Sequence, residues 1–301
     1  MRTYPKISIV TPSFNQGRFL EHTMRSVLSQ DYSNLEYIVI DGGSTDGSVE
    51  IIKRYADRLS FWTSESDHGH GDALNKGFAR SSGEIMAWIN SDDMYLPWTF
   101  QVVAEIFASF PQVMWISGTA AFWSSTGFLM ESNRAPMGRM DYLLGNYAWI
   151  QQESVFWRRG LWERAGSHIT TKYRYMVDGE LWSRFFQHSE LVTTQCILGG
   201  YRVHDTNRAI NYADACHDEM RTIVKNMHAG LSKADRATLR LLKALRLPVK
   251  LGVNRFFPLS AAYRSIFPAL FKQLQHNNLF FHEGKWNMRA LPFMLCAPPW
   301  A

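Results

Sequence analysis

Cysteine is scarce: three in 301 residues, Cys196, Cys216 and Cys296. They are widely spaced, odd in number and lack metal-ligand spacing. That argues against a disulfide scaffold and a thiolate zinc site, and points to a reducing compartment. Also missing is any apolar run of the roughly 18 residues that a bilayer span needs. The opening Met1-Arg2-Thr3-Tyr4-Pro5-Lys6 has no long apolar core and no small-residue cleavage site, so no secretory leader is expected. No internal repeat and no low-complexity tract interrupts the chain. The expectation is a cytoplasmic protein, soluble or peripheral on the inner face of the cell membrane. With 46% apolar residues the chain can bury a sizeable core and is not disordered.

What is present is a regular alternation. Ile7-Ser8-Ile9-Val10 is a short β-branched run closed by Thr11-Pro12-Ser13, which reads as a strand and its end. Leu20, Met24, Val27 and Leu28 follow at the spacing of an amphipathic helix. Leu35 to Ile40 is a second strand, Val49 to Tyr55 a helix, Leu59 to Thr63 a third strand and Ala73 to Ala79 a helix. Ile85 to Ile89 is a fourth strand. Such alternation predicts an α/β fold with a parallel sheet of right-handed βαβ units, whose ligands lie beyond the carboxyl ends of the strands. Thr11, Asp41 and the Asp92-Asp93 pair all fall at those ends, so separate loops converge on one crevice. Further on, Val113 to Thr119 and Gln151 to Trp157 read as strands, and Gly179 to Gln187 as a helix. Leu191 to His204 reads as paired strands around Gly199-Gly200. After about Asn211 the pattern is helical and basic, without strand alternation.

The pair Asp92-Asp93 carries the strongest chemical signal. An unpaired buried carboxylate is very costly, so two at the end of a buried strand call for a partner. A divalent cation of the oxygen-loving kind, Mg2+ or Mn2+, is the usual one, and it would in turn hold a diphosphate. The other candidates are ambiguous on their own. Asp41 in Asp41-Gly42-Gly43 is good turn chemistry, or else a carboxylate accepting from the donor edge of a base. Asp46 and Asp72 read as helix caps. The loop Asp67-His68-Gly69-His70-Gly71 lacks zinc spacing. Asn75 and Lys76 lie on the following helix, facing the crevice within reach of ribose or phosphate. Asp178 is a helix cap or a general base, and His204 a structural histidine or a metal ligand.

Taken together, the stretches Ile9-Val10-Thr11-Pro12-Ser13-Phe14-Asn15, Val39-Ile40-Asp41-Gly42-Gly43-Ser44-Thr45-Asp46-Gly47 and Ala73-Leu74-Asn75-Lys76-Gly77 resemble the inverting glycosyltransferases of family 2. The run Gly83 to Asp93, then Gln152-Glu153-Ser154-Val155-Phe156, Asp178-Gly179-Glu180-Leu181-Trp182 and Tyr201-Arg202-Val203-His204 follow in the family's order over roughly residues 5–210. The resemblance implies a GT-A fold, a Rossmann-like, mostly parallel sheet flanked by helices. It implies that Thr11 and Asp41 hold the nucleoside base and that Asn15, Asp67 and Asn75 lie on the nucleotide side. Asp92 would contact ribose or sugar, Asp93 would coordinate Mn2+ or Mg2+ on the diphosphate, and His204 would complete the metal shell. Asp178 would be the catalytic base. Two positions depart from the family pattern: Asn90 stands where many relatives carry another aspartate, and Val177 where a glutamate is common.

The implied reaction moves a sugar from a nucleotide-diphosphate donor, a UDP-sugar foremost, to a hydroxyl of a glycan or lipid-linked acceptor in surface polysaccharide synthesis. A non-catalytic sugar-nucleotide or glycan binding protein is the alternative. A nucleotidyltransferase would need a glycine-rich phosphate loop after the first strand, and Thr11-Pro12-Ser13-Phe14-Asn15-Gln16-Gly17 does not supply one. Trp149, Trp157, Trp162 and Trp182 are possible sugar platforms, with core packing the stronger reading. The division expected is a catalytic domain over 1–215 and a basic, mainly helical extension over 216–301. Between Lys233 and Lys272 that extension has nine Lys or Arg against one acid, Asp235. Interleaved with leucine, these cations read as an interfacial helix on an anionic membrane or as helices packed on the domain. No nucleic-acid recognition motif accompanies them.

Overall fold

A computed structural model describes residues 4–133, 137–145, 150–251, 259–293 and 295. Its thirteen described strands are β1 (Ile7–Ser13), β2 (Leu35–Asp41), β3 (Phe61–Ser64), β4 (Ile85–Trp88), β5 (Met94–Tyr95), β6 (Trp115–Ser117), β7 (Ala120–Trp123), β8 (Leu129–Asn133), β9 (Val155–Arg158), β10 (Val192–Thr194), β11 (Gly199–Arg202), β12 (His276–His282) and β13 (Lys285–Leu291). The helices are α1 (Gly17–Leu28), α2 (Ser48–Arg54), α3 (His70–Arg80), α4 (Thr99–Ser109), α5 (Arg139–Leu143), α6 (Arg159–Arg164), α7 (Val177–Phe185), α8 (Arg208–Asn211), α9 (Ala213–Ala229), α10 (Lys233–Lys250), α11 (Leu259–Ile266) and α12 (Pro268–Gln273).

Nine strands form one sheet in the order β13-β12-β10-β6-β9-β4-β1-β2-β3. From β4 to β3 the neighbours are parallel, as the βαβ alternation predicts. The register sets Ser13 opposite Asp41 and Asp41 opposite Ser64, so these side chains share one edge of the sheet. Strand β9 runs antiparallel between β4 and β6. A second sheet, β5-β11-β7-β8, stands at the same edge and carries the chain from Asp93 and toward His204.

The sheet is closed by packing that the helical periodicity foreshadows. Helix α1 buries Phe19, Leu20, Thr23, Met24, Val27 and Leu28. Helix α3 approaches β1 so closely that a Cβ on Gly77 would run into the Val10 side chain. The centre of the core is aromatic: Trp88 and Trp182 stack at 5.6 Å between ring centres, with Trp115 and Trp157 beside them. Trp157, Trp162 and Trp182 are therefore core residues, while Trp149 lies outside the described residues.

Two local expectations are corrected. The segment 191–204 does not fold on itself: β10 lies in the large sheet between β12 and β6, and β11 in the small one between β5 and β7. Gly199-Gly200 is not a turn but the start of β11, where a Cβ on Gly200 would collide with the Trp123 indole nitrogen. The basic C-terminal segment is helical through α12, then returns as the hairpin β12–β13, whose first strand extends the large sheet in parallel with β10. The inward positions His276 and Asn278 are polar, which hid the strand alternation. The turn residues Glu283 and Gly284 both have positive φ, 50° and 74°, as a tight two-residue hairpin requires.

Candidate active site

At the β1–β2 edge, most of the expected nucleotide-side residues are engaged with the protein itself. The Asp41 carboxylate is fully buried and accepts from the N–H groups of Gly43 and Ser44 and from the hydroxyls of Ser44 and Ser64, at 2.6–3.1 Å. It shapes the loop that follows β2. Thr11 Oγ1 lies 3.0 Å from the Tyr37 hydroxyl. Asn15, with φ of 51°, accepts the Thr45 N–H and so joins the β1 and β2 loops. Asp46 accepts from Gly17 and Ser48, the first residues of α1 and α2, and serves both helix starts. The Asp67 carboxylate leans over Gly42 beside the exposed ring of Phe14; a Cβ on Gly42 would lie 2.8 Å from Asp67 and 3.3 Å from Phe14. Phe14, 61% exposed, is an aromatic face on this side that the residue patterns alone did not single out. Asn75 departs from expectation. Its amide pairs with both polar groups of the Ile169 peptide, at 2.7 and 2.8 Å, and ties α3 to the segment before α7. Lys76 pairs with Glu65 and Asp72.

Beyond β4 the chain turns through Asn90-Ser91-Asp92-Asp93. Asp93 is buried, and its Oδ1 accepts the Arg202 N–H of β11 at 2.8 Å while Asn90 approaches Oδ2. Asp92 is more open, and its Oδ2 lies 3.0 Å from His204 Nε2. The resemblance assigns Asp93 and His204 to a metal ion; in the structure the carboxylate that His204 meets is that of Asp92. Four groups hold His204 there. Its N–H donates to Asn207, Nδ1 meets Thr206, Asn207 also reaches Nε2, and the Phe19 ring packs at 4.5 Å. The buried guanidinium of Arg202 donates to the Asp92 carbonyl at 2.6 Å. Asn90 takes a hydrogen bond at 3.1 Å from His70. Burial and the nearby Arg208 push the His70 imidazole down to about 4, so it is neutral there and suited to donate.

Asp178 lies on α7. Asp178 is not a cap: Met176 stands at the cap position, and Asp178 is the second residue of the helix. Glu219 of α9 accepts the N–H groups of Arg174, Tyr175 and Met176, each at 2.9 Å, and fixes the approach to α7. Burial pushes the Asp178 carboxyl up to about 6, with a further rise from Glu219 and opposing pulls from local N–H groups. Glu180 is committed elsewhere, in a doubled ion pair with Arg184 that also grips the Ala165 and His168 carbonyls. Glu153, on the short turn Gln152–Ser154, lies near enough to Asp178 and Asp92 to feel both charges. Burial, with the charges of Asp178 and Asp92, drives its carboxyl up to about 8. Burial first, then Asp92 and Glu153, drives Asp93 well above the usual carboxylate range.

The crevice thus gathers Asp92, Asp93, Glu153 and Asp178 with too little positive charge to balance them. Such a cluster suits a cation. Among the described residues no group of three His, Cys, Asp or Glu converges to hold a metal by itself. The donor set that does converge is one carboxylate and one imidazole, Asp92 and His204, at the separation of two ligands on one ion. A hard octahedral cation bound here would take its remaining ligands from a diphosphate and water, as Mg2+ sites commonly do.

Comparison with known proteins identifies the family. The family model for glycosyl transferase family 2 matches residues 8–180, more than half of the chain. An uncharacterized glycosyltransferase of Nostoc sp. is 26% identical over 224 residues, covering 71% of this chain and 70% of its own. TuaG of Bacillus subtilis, named for teichuronic acid biosynthesis, is 35% identical over 94 residues, 30% of this chain and 37% of TuaG. Among solved structures, residues 1–349 of S. aureus TarS in complex with UDP-GlcNAc align with a TM-score of 0.56 at 13% identity, covering 96% of this chain and 99% of that one. Against a longer TarS chain, this chain spans only 43% of that length. The mannosyltransferase PcManGT of Pyrobaculum calidifontis, in complex with GDP-Man and Mn2+, aligns with a TM-score of 0.52 at 17% identity, over 89% of this chain and 85% of that one. These likenesses show a shared GT-A fold. With the strand-end aspartates and the family match over 8–180, the chain belongs to glycosyl transferase family 2 and is a glycosyltransferase.

Proposed function

We propose that this enzyme transfers a hexose from a UDP-sugar to a hydroxyl of a glycan or lipid-linked acceptor, with inversion, in surface polysaccharide synthesis. The observation that supports the reading is the buried carboxyl of Asp178, raised to about 6, with Asp178 and Asp92 both near enough to Glu153 for their charges to act on it. A base in that range is ionised at neutral pH yet takes a proton readily. The acceptor oxygen attacks the anomeric carbon of the donor sugar, and its proton passes to Asp178. The bond from that carbon to the diphosphate oxygen breaks on the opposite face, and UDP departs. One displacement inverts the anomeric configuration. Asp92 and His204 would hold the Mn2+ or Mg2+ ion, which when bound offsets the charge developing on the leaving diphosphate. Arg202 holds the Asp92 backbone, and Asn207 and Thr206 orient the His204 ring.

The nucleotide assignment is supported by TarS, whose complexes contain UDP and UDP-GlcNAc, and the polysaccharide assignment by the name of TuaG. Phe14, Gly42 and Asp67 supply an aromatic face and a carboxylate for the base. Contact with the cytoplasmic face of an anionic membrane is part of the proposal, through the outward cations of α10. The test is calorimetric titration of UDP, GDP, dTDP and CDP, each with Mn2+ and with EDTA. Metal-dependent binding of UDP, lost in Asp92→Asn, is the expected result. Silence of all four nucleotides in a folded sample would replace the enzyme reading with that of a non-catalytic protein on this fold.

A further inference from the structure

Glu153 is a carboxyl of the crevice with no part in the reaction as derived above. It sits on the turn Gln152–Ser154, which the Gln152 amide pins to the carbonyl of Trp88 at the end of β4. The turn packs against β5 and β11, the strands that flank Asp93 and lead to His204. Glu153 is 3% exposed, and its Oε1 has no hydrogen-bond partner among the described residues. A buried polar atom left unpaired costs about 1–3 kcal/mol, so an orphan of this kind calls for a ligand. Its surroundings say which. Asp92 and Asp178 are both close enough for their charges to act on it. On the proposed reaction the diphosphate lies at Asp92 and the acceptor hydroxyl at Asp178. What must bridge those two points is the transferred sugar.

We infer that Glu153 is a specificity-determining residue, whose carboxyl hydrogen-bonds a hydroxyl of the transferred sugar from the floor of the crevice. The inference rests on the nucleotide-sugar reading and adds to it the residue that selects the sugar. Its chemistry fits a sugar hydroxyl well. A carboxyl oxygen accepts from a hydroxyl, and a buried one without a partner has that capacity to spare. A site built to pair with a substrate hydroxyl rejects an analogue that places it elsewhere, because the buried group is then left unmatched.

The experiment is calorimetry in Mn2+ with UDP, UDP-glucose, UDP-galactose, UDP-N-acetylglucosamine and UDP-glucuronate, on wild type, Glu153→Gln and Glu153→Met. Glutamine keeps an acceptor oxygen; methionine keeps the volume and not the acceptor. Wild type is expected to separate the four conjugates by at least tenfold in Kd, roughly 1.4 kcal/mol. Glu153→Met should compress that range below about threefold while its Kd for UDP stays within about threefold of wild type, and Glu153→Gln should keep the ranking. A ranking retained in Glu153→Met overturns the inference, as does a flat panel in wild type. Parallel loss of UDP and every conjugate in folded Glu153→Met also overturns it, because Glu153 would then support the whole crevice. Glu153→Ala carries the same readout should methionine prevent folding. If wild type binds no UDP at all, the nucleotide-sugar reading fails first, and that outcome is distinct from a UDP-binding protein without sugar preference.

Discussion

At the scale of single residues, the role of Asp178 is the sharpest test of the chemistry. Asp178→Asn removes the proton acceptor and keeps the shape, so kcat should fall about 10²–10⁴-fold while calorimetric affinity for UDP holds. In wild type, kcat/KM should rise with pH through about 6, the value to which burial lifts this carboxyl. The sign for stability is opposite. A carboxyl whose folded pKa lies above its unfolded value favours the fold when protonated, and that contribution is lost as pH rises through about 6. Asp178→Asn should therefore melt higher than wild type at neutral pH, and a lower melting point would sink the burial argument. Much of this residue set was legible in the sequence, because two carboxylates ending the apolar run Ile85–Ile89 have few structural uses. Less legible were the pairings. His204 meets Asp92 rather than Asp93, and Asn75 spends its amide on Ile169, since both choices depend on contacts between residues more than 90 apart in sequence.

At the scale of elements, Glu219 shows what spacing alone does not reveal. It lies on α9, some forty residues from Asp178, within a segment that reads only as helical and basic. Nothing local marks it, yet one carboxylate collects three N–H groups from the residues entering α7. Charged acceptors in such roles contribute about 1.5–3 kcal/mol per hydrogen bond at best. Glu219→Gln, with a single weaker acceptor oxygen, should lower thermal stability by about 1–3 kcal/mol. It should also lower kcat more than it changes the UDP Kd, because α7 carries the proposed base and no residue proposed to hold the nucleotide. A variant that melts lower with kcat intact would limit Glu219 to a scaffolding part. The parallel half of the sheet, β1 to β4, was readable because apolar runs and helical periodicity alternate there without interruption. The segment 191–204 was not. Gly199-Gly200 resembles a turn to any local rule, and only the approach of Trp123 shows why glycine is needed in a strand.

At the scale of the whole molecule, the basic C-terminal segment has two faces that the sequence could not assign. The inner face of α10 is packed: Leu239 joins Leu143 and Leu231 in one apolar cluster, and Leu242 joins Phe271, Phe293 and Leu295 in another. Arg246 reaches the Leu144 carbonyl and Asp235 pairs with Arg139, so these charges hold the helix to the catalytic part. Packing on the domain is thus established for this helix, but it uses only half of the circumference. Lys233, Arg236, Arg240 and Lys243 are exposed at intervals of three and four residues, with Leu247 and Leu251 exposed beyond them. One helix therefore presents a cationic stripe ending in apolar side chains, the order in which an anionic surface and then its acyl boundary would be met. No described helix is long and apolar enough to cross a membrane, so the stripe would act from outside the bilayer. Each cation near an anionic leaflet contributes about 1 kcal/mol. Changing all four to glutamate should then weaken sedimentation with phosphatidylglycerol vesicles at low salt by at least about 100-fold, and leave the melting point and UDP affinity near wild type. Vesicles of neutral lipid should retain neither protein. If wild type fails to sediment with anionic vesicles at low salt, or the four-glutamate variant sediments equally, the outward face of α10 is a solvated helix face and the acceptor must reach the crevice from solution.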